Sequence, residues 1–380
     1  MSGTFEQARA FFLQGLSHYQ AGRFGAADTS LSAALALVPG RPSTLTNLGA
    51  TRLKLGRPAE ALELLREVLA QEPSNLEALG HCASSLAELG QAHAALDCLE
   101  RLLALDSSVG HAWSLRGSLL REQGQHALAA VSFRQALDHG ADPVLNAYYL
   151  ASVGQAEAPP VAPRDYVEQL FDGYAEQFDG SLVQQLNYRA PEVLADRLRA
   201  FGRRFEHALD LGCGTGRCGP LLQPLAARID GVDLSSNMLA RARAQGVYAQ
   251  MAQADVAEFL AGTPDRYDLV LAADVFIYLG SLEAVFAGVA GVLRAGGLFC
   301  FTVEAADGDG DGDGDGDANA PGAPDPGWLL RPSLRYAHSE SYIRRLAAHH
   351  GFEVADTVRQ ALREEQRSPV PGLFFWLGKP

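Results

Sequence analysis

The chemistry this sequence offers is concentrated in one glycine-rich turn and a series of aspartates. Ala208-Leu209-Asp210-Leu211-Gly212-Cys213-Gly214-Thr215-Gly216 reads as a short apolar strand ending in an acid, followed by a turn with glycines at alternate positions. Such glycines let the backbone take positive φ and let a ligand approach closely. Gly219-Pro220 and an apolar run then open a helix, whose first N–H groups and positive dipole end suit an anionic group. Asp233, Asp255 and Asp274 each end a short stretch downstream that reads as a strand. A histidine ordinarily titrates near neutral pH, so His338 is a candidate proton acceptor for an attacking nucleophile; the bland alternative is that it caps the next helix.

Two ligand classes compete for the turn. Gly214, Gly216 and Gly219, with Asp233 further on, satisfy a dinucleotide pattern. The alternative is an apolar-apolar-Asp-apolar-Gly-x-Gly-x-Gly pattern. Asp210 favours it, because a negative charge at the strand end suits an ammonium and a sulfonium and is awkward beside a pyrophosphate. This stretch resembles motif I of the class I S-adenosylmethionine (SAM) dependent methyltransferases. The resemblance implies that Asp210 and the backbone of Gly212, Gly214 and Gly216 hold the methionyl end. Asp233 would accept the ribose hydroxyls. Leu234 and Met238 would lie beside the adenine, with core packing as the alternative for Met238. Asp255, followed by Val256, would accept from the adenine amino group or else cap a helix. Asp274 would border the transferred methyl.

These residues need a parallel sheet to bring them together. From Ala208 onward apolar strands alternate with helices, and ligands bind at the carboxyl ends of strands in such sheets. The expected fold is a Rossmann-like class I methyltransferase domain with a seven-stranded, mostly parallel sheet. Its last two strands, Phe352 to Val358 and Val370 to Leu377, would form an antiparallel hairpin. Upstream, the stretch from Asp165 to Asp179 resembles the lead-in helix of small class I methyltransferases. Phe171, Tyr174 and Phe178 share one helical face there, and Tyr174 is the expected ligand contact of a lid.

Residues 1 to about 143 repeat with a period of 34. Gly22, Gly56, Gly90 and Gly124 form one column. Ala27, Ala61, Ala95 and Ala129 form a second, Leu31, Leu65, Leu99 and Phe133 a third, and Gly15, Gly49, Ala83 and Gly117 a fourth. This resembles the tetratricopeptide repeat, an all-α solenoid whose units bury apolar faces only against one another. The resulting division is a repeat array with a capping helix over 1–153, a Pro-rich linker over 154–164, and a methyltransferase domain over 165–380. An Asp-Gly run inside 306–327 reads as a disordered insertion, because it is low in complexity and strongly charged, and calcium-loop patterns fail on it.

The chain carries a formal charge of −14, and six of its acids lie in that run. An acidic chain without a basic patch is a poor nucleic-acid binder. No apolar run approaches the length of a membrane span. Five scattered cysteines read as free thiols of a cytoplasmic protein, and none belongs to a metal-ligand quartet, so no metal is expected. The functional expectation is SAM-dependent methyl transfer to an unidentified acceptor, with a small molecule ahead of a protein delivered by the array. The array would bind a protein partner or self-associate. A scaffold whose SAM-binding domain is regulatory or inactive is the reading from another class.

Overall fold

The computed structural model describes residues 2–174, 186–306, 327–365 and 368–380. They form two compact units, Met1–Gln155 and Ala156–Pro380. The Asp-Gly run and Phe178 lie outside the described residues, and so does the side chain of Tyr174.

The first unit is a series of antiparallel helix pairs: α1 (Ser2–Gln20), α2 (Phe24–Leu37), α3 (Pro42–Lys54), α4 (Pro58–Gln71), α5 (Leu76–Glu88), α6 (Ala92–Leu105), α7 (Gly110–Glu122), α8 (His126–Asp138) and α9 (Pro143–Ser152). The 34-residue columns have separable causes. Gly22, Gly56, Gly90 and Gly124 all adopt φ near 70°, between 68° and 73°. After each, the next N–H returns to a carbonyl five residues back, as Arg23 does to His18 at 2.9 Å. This is a glycine C-cap repeated four times. The Gly15 column is steric instead. A Cβ on Gly117 would lie 2.4 Å from the Phe133 ring, and one on Gly49 would lie 2.9 Å from Leu65. The Leu31 column therefore packs into the notch that the Gly15 column leaves.

The second unit is a mixed α/β sheet. Helices α10 (Arg164–Tyr174) and α11 (Ala190–Ala200) precede it. The strands are β1 (Phe205–Leu211), β2 (Ala226–Asp233), β3 (Gln250–Gln253), β4 (Tyr267–Ala272), β5 (Leu293–Ala305), β6 (Trp328–Leu330), β7 (Tyr336–His338), β8 (Glu353–Glu365) and β9 (Ser368–Gly378). The order β3-β2-β1-β4-β5 is parallel throughout. β9 lies antiparallel on β5, and β8 is antiparallel on β9. The sheet has nine strands rather than seven, because the short antiparallel pair β6–β7 extends the end of β5.

Side chains alternate across the central strands. Leu209, Val270, Phe299 and Phe375 enter one core, while Ala208, Leu271, Cys300 and Trp376 enter the other. Burial on both faces is why these strands read as continuous apolar runs.

The Pro-rich segment is not a free spacer. The Pro160 carbonyl accepts from the N–H groups of Gly280 and Ser281 at 2.8 and 2.9 Å, Ala162 N–H donates to the Tyr278 carbonyl, and Val161 bridges to Leu279. Proline removes donors but leaves carbonyls, and the 278–281 loop uses them.

Candidate functional site

One pocket opens at the carboxyl ends of the parallel strands. Gly212, Gly214 and Thr215 line it after β1, and Asp233 and Leu234 after β2. Asp255 and Val256 follow β3, and Asp274 follows β4. The strand-end series that the sequence offers thus converges on one cleft, as open α/β sheets dictate.

The glycine turn is shaped largely by its own neighbours. A Cβ on Gly212 would lie 2.5 Å from Val275, and one on Gly216 3.1 Å from Tyr248. Gly219 and Gly231 make room for the same tyrosine ring. Gly216 does not line the pocket, and its absent side chain admits Tyr248 rather than a ligand. Asp210 likewise stands behind the turn. It alternates to the face opposite Leu209, is 1% exposed, and accepts from the Tyr248 hydroxyl at 2.7 Å. It is not among the residues that line the pocket, so a direct contact with the methionyl end gives way to a supporting role. Burial drives its pKa up to about 7, with Asp233 adding to the rise and the Tyr248 hydrogen bond opposing it.

Asp233 sits at the end of β2 and accepts from Gly214 N–H at 2.8 Å and Ser235 N–H at 2.9 Å. It therefore ties the glycine turn to the start of the next helix while facing the pocket. An ionised carboxylate has about four acceptor sites, so capacity for a ligand's hydroxyls remains. Asp255 has both expected roles available: one oxygen caps the helix Val256–Gly262 through Ala257 and Glu258, and the side chain also lines the pocket. Met238 is fully buried and does not line the pocket, so core packing wins there.

Asp274 holds a left-handed backbone (φ 59°), fixed by its N–H on Thr302 Oγ1 at 2.8 Å. Strain of this kind persists where the surroundings impose it. Both carboxylate oxygens accept from Nη1 of Arg363, at 3.0 and 2.9 Å. Arg363 also donates to Glu304 through Nη2 and to Glu365 through Nε. Burial works against its charge, yet Asp274, Glu304 and Glu365 more than offset this and raise its pKa. Arg335 donates to the same Glu365, and Arg331 reaches Glu304 at 3.2 Å. Arg335 and Arg363 both face the pocket.

The wall opposite comes from Val161, Ala162, Val167 and Phe171, with Phe171 edge-on to Tyr278 at 5.4 Å. Asp172 pins α10 to the start of the helix Ser236–Ala244 by accepting from Ser235 Oγ. The Pro-rich segment and α10 are therefore part of the cleft.

His338 does not reach the cleft. It is fully buried on β7, its Nε2 bonds the Gly280 carbonyl at 2.9 Å, and its ring stacks on Tyr342. Burial pushes its pKa down to about 4. A neutral imidazole locked on a carbonyl is not the expected base, and it is Ser339 that caps the following helix.

Tyr248 gives no site signal in the sequence, and Arg363, just before the last strand, reads there either as part of the acceptor rim or as solvated. β8 shifts register between Ala361 and Arg363, and this bulge turns Arg363 inward beside the equally buried Leu362. No period-2 reading of the strand reveals it.

Residues 208–297 match the methyltransferase domain family, and residues 12–75 and 52–119 match two tetratricopeptide repeat families. The chain thus joins tetratricopeptide repeats to a methyltransferase domain. It is 34% identical over 123 residues to a malonyl-[acyl-carrier protein] O-methyltransferase of Enterobacter lignolyticus, covering 32% of this chain and 48% of that protein. It is 32% identical over 109 residues to a ubiquinone biosynthesis O-methyltransferase of Aeromonas salmonicida, covering 27% and 44%. The chain spans about half the length of these curated relatives. Among structures, the N-methyltransferase NodS of Bradyrhizobium japonicum in complex with S-adenosyl-L-homocysteine aligns with 20% identity and a TM-score of 0.39, covering 50% of this chain and 87% of that one.

Proposed function

We propose that this chain of tetratricopeptide repeats and a methyltransferase domain is a SAM-dependent methyltransferase acting on a small molecule. The observation that carries the reading is Asp233. Its carboxylate faces the cleft at the end of β2 while bonded to the glycine turn, in series with Asp255 and Asp274.

The residues present fit SAM. Asp233 has acceptor capacity for the ribose hydroxyls, and Asp255 keeps one oxygen for the adenine amino group. Leu234 and Val256 supply apolar walls. Arg217, which also lines the pocket, has a buried Nε without a hydrogen-bond partner, and this suits the methionyl carboxylate. When bound, SAM supplies a methyl group already activated on a sulfonium. The protein's share is then orientation and exclusion of water, which the Pro-rich segment, α10 and Tyr278 provide.

The array serves as the interaction module for a protein partner or a second copy. Arg52 and Arg57 are engaged by Asp28 and Glu60 within the array. Its groove, bordered by Lys54, His81, His111, Glu77 and Glu88, carries both signs of charge. These features do not single out an acidic peptide.

The test is incubation with methyl-labelled SAM and a cell extract, followed by separation by size. Label among small molecules supports the reading. Label on a protein band makes the array a substrate-recruiting arm, and no transfer despite bound SAM leaves the scaffold reading.

A further inference from the structure

We propose that the acceptor is a carboxylate, seated on the Arg335 guanidinium and converted to a methyl ester. This rests on the methyl-transfer reading of the cleft and adds the acceptor's chemistry to it.

The first observation concerns donors. Arg363 spends each of its nitrogens, on Asp274, Glu304 and Glu365. Arg335 donates from Nη1 to Glu365, an oxygen it shares with Arg363, and contacts the Tyr278 hydroxyl. A guanidinium carries five N–H donors, more than Glu365 and Tyr278 take up, and the side chain lines the cleft. The turn that carries it is fixed. Leu334 holds φ at 64°, and Arg331 N–H donates to the Arg335 carbonyl at 2.9 Å. A guanidinium with donors left over at an apolar wall matches a carboxylate in shape and charge. An ammonium-bearing acceptor would first have to lose a proton before it could attack.

The second observation concerns bases. Among the described residues at this end of the cleft, no side chain is poised to take a proton near neutral pH. Asp274 is held by Arg363. Burial lifts the Tyr188 phenol well above its usual range and Tyr278 to about 12, and it raises the Cys213 and Cys218 thiols. His338 is sequestered on Gly280. An alcohol, phenol or thiol acceptor requires a base. A carboxylate arrives already ionised at neutral pH and requires none.

The step balances without a proton. A carboxylate oxygen forms the new C–O bond with its lone pair. The methyl carbon's bond to sulfur breaks, and its electron pair stays on sulfur. An anion and a sulfonium become a neutral ester and a neutral thioether. Charge disappears along this path, so the apolar walls at Ile277, Leu279 and Phe171 favour it over the same reaction in water.

The test uses the full chain, methyl-labelled SAM and an extract of its own cells, with the labelled product treated with mild base. Methyl esters release volatile labelled methanol, whereas methyl groups on nitrogen, sulfur, carbon or an ether oxygen stay in place. The expected result is base-labile label, reduced roughly 30-fold or more in Arg335→Gln with SAM affinity unchanged. Arg335→Lys, which keeps the charge and loses the fork, should retain part of the activity and show a raised KM for the acceptor. Base-stable label overturns the carboxylate and leaves methyl transfer standing. Base-labile label undiminished in Arg335→Gln overturns the seat. No transfer with SAM still bound overturns the transferase reading and this inference with it.

Discussion

The two compact units bury different things. The array hides hydroxyls that bond their own helix, as Thr51 does to the Asn47 carbonyl at 2.7 Å and Ser85 to His81 at 2.8 Å. Arg121 is the one charged side chain among its buried described residues. The α/β unit buries Asp210, Asp230, Asp233, Glu304 and Arg363. Buried ionisable groups weaken a fold unless each finds a partner, so their concentration in one unit marks where chemistry is located. The array is built to be rigid and repetitive, and the α/β unit accepts electrostatic cost around its cleft.

This contrast predicts where substitutions act. Trp113 reports on the array, and Trp328 and Trp376 report on the α/β unit. The largest effect is expected from Arg363→Ala, which leaves Asp274 without its arginine and takes one of two arginine partners from Glu304 and from Glu365. Denaturant unfolding should show the α/β unit weakened by about 3–5 kcal/mol, with the array unmoved. An α/β unit of unchanged stability would break the contrast. Next is Gly117→Ala, which drives a Cβ into the Phe133 ring. It should weaken the array by roughly 1–3 kcal/mol and leave SAM affinity untouched.

The smallest effect concerns pH. Asp210 has its pKa raised to about 7 in the folded chain, chiefly by burial. An acid whose folded pKa lies above its unfolded value favours the fold while protonated. Stability therefore falls as pH rises toward the folded pKa and levels off above it. Between about pH 6 and about pH 8 the α/β unit should lose on the order of 1 kcal/mol. Asp210→Asn should flatten that slope, and a slope that survives the substitution would show that another group titrates.

Legibility follows the same division. The Gly22 column is a C-cap and the Gly15 and Leu31 columns a notch and its filler, all set within one repeat unit, so period 34 alone discloses the array. The strand ends were legible too, because Asp210, Asp233, Asp255 and Asp274 each end a stretch that reads as a strand in the alternation of strands and helices. What lay hidden depends on contacts between distant segments. Tyr248 folds back over Gly216, Gly219 and Gly231, and the bulge in β8 turns Arg363 onto Asp274, 89 residues away. Composition marks the Pro-rich segment as a linker but is silent on its pairing: the Pro160 carbonyl accepts from Gly280 and Ser281, more than a hundred residues later. His338 looked like a base because its residue type was visible while its burial was not.

The most direct test of the account is calorimetric titration of SAM into the full chain and into Asp233→Ala, with the unfolding transition of each recorded. The account predicts one binding site, weakened about 100-fold or more in the variant, while unfolding stays cooperative. Equal affinity in the two proteins would contradict it, because the carboxylate at the end of β2 would then hold nothing.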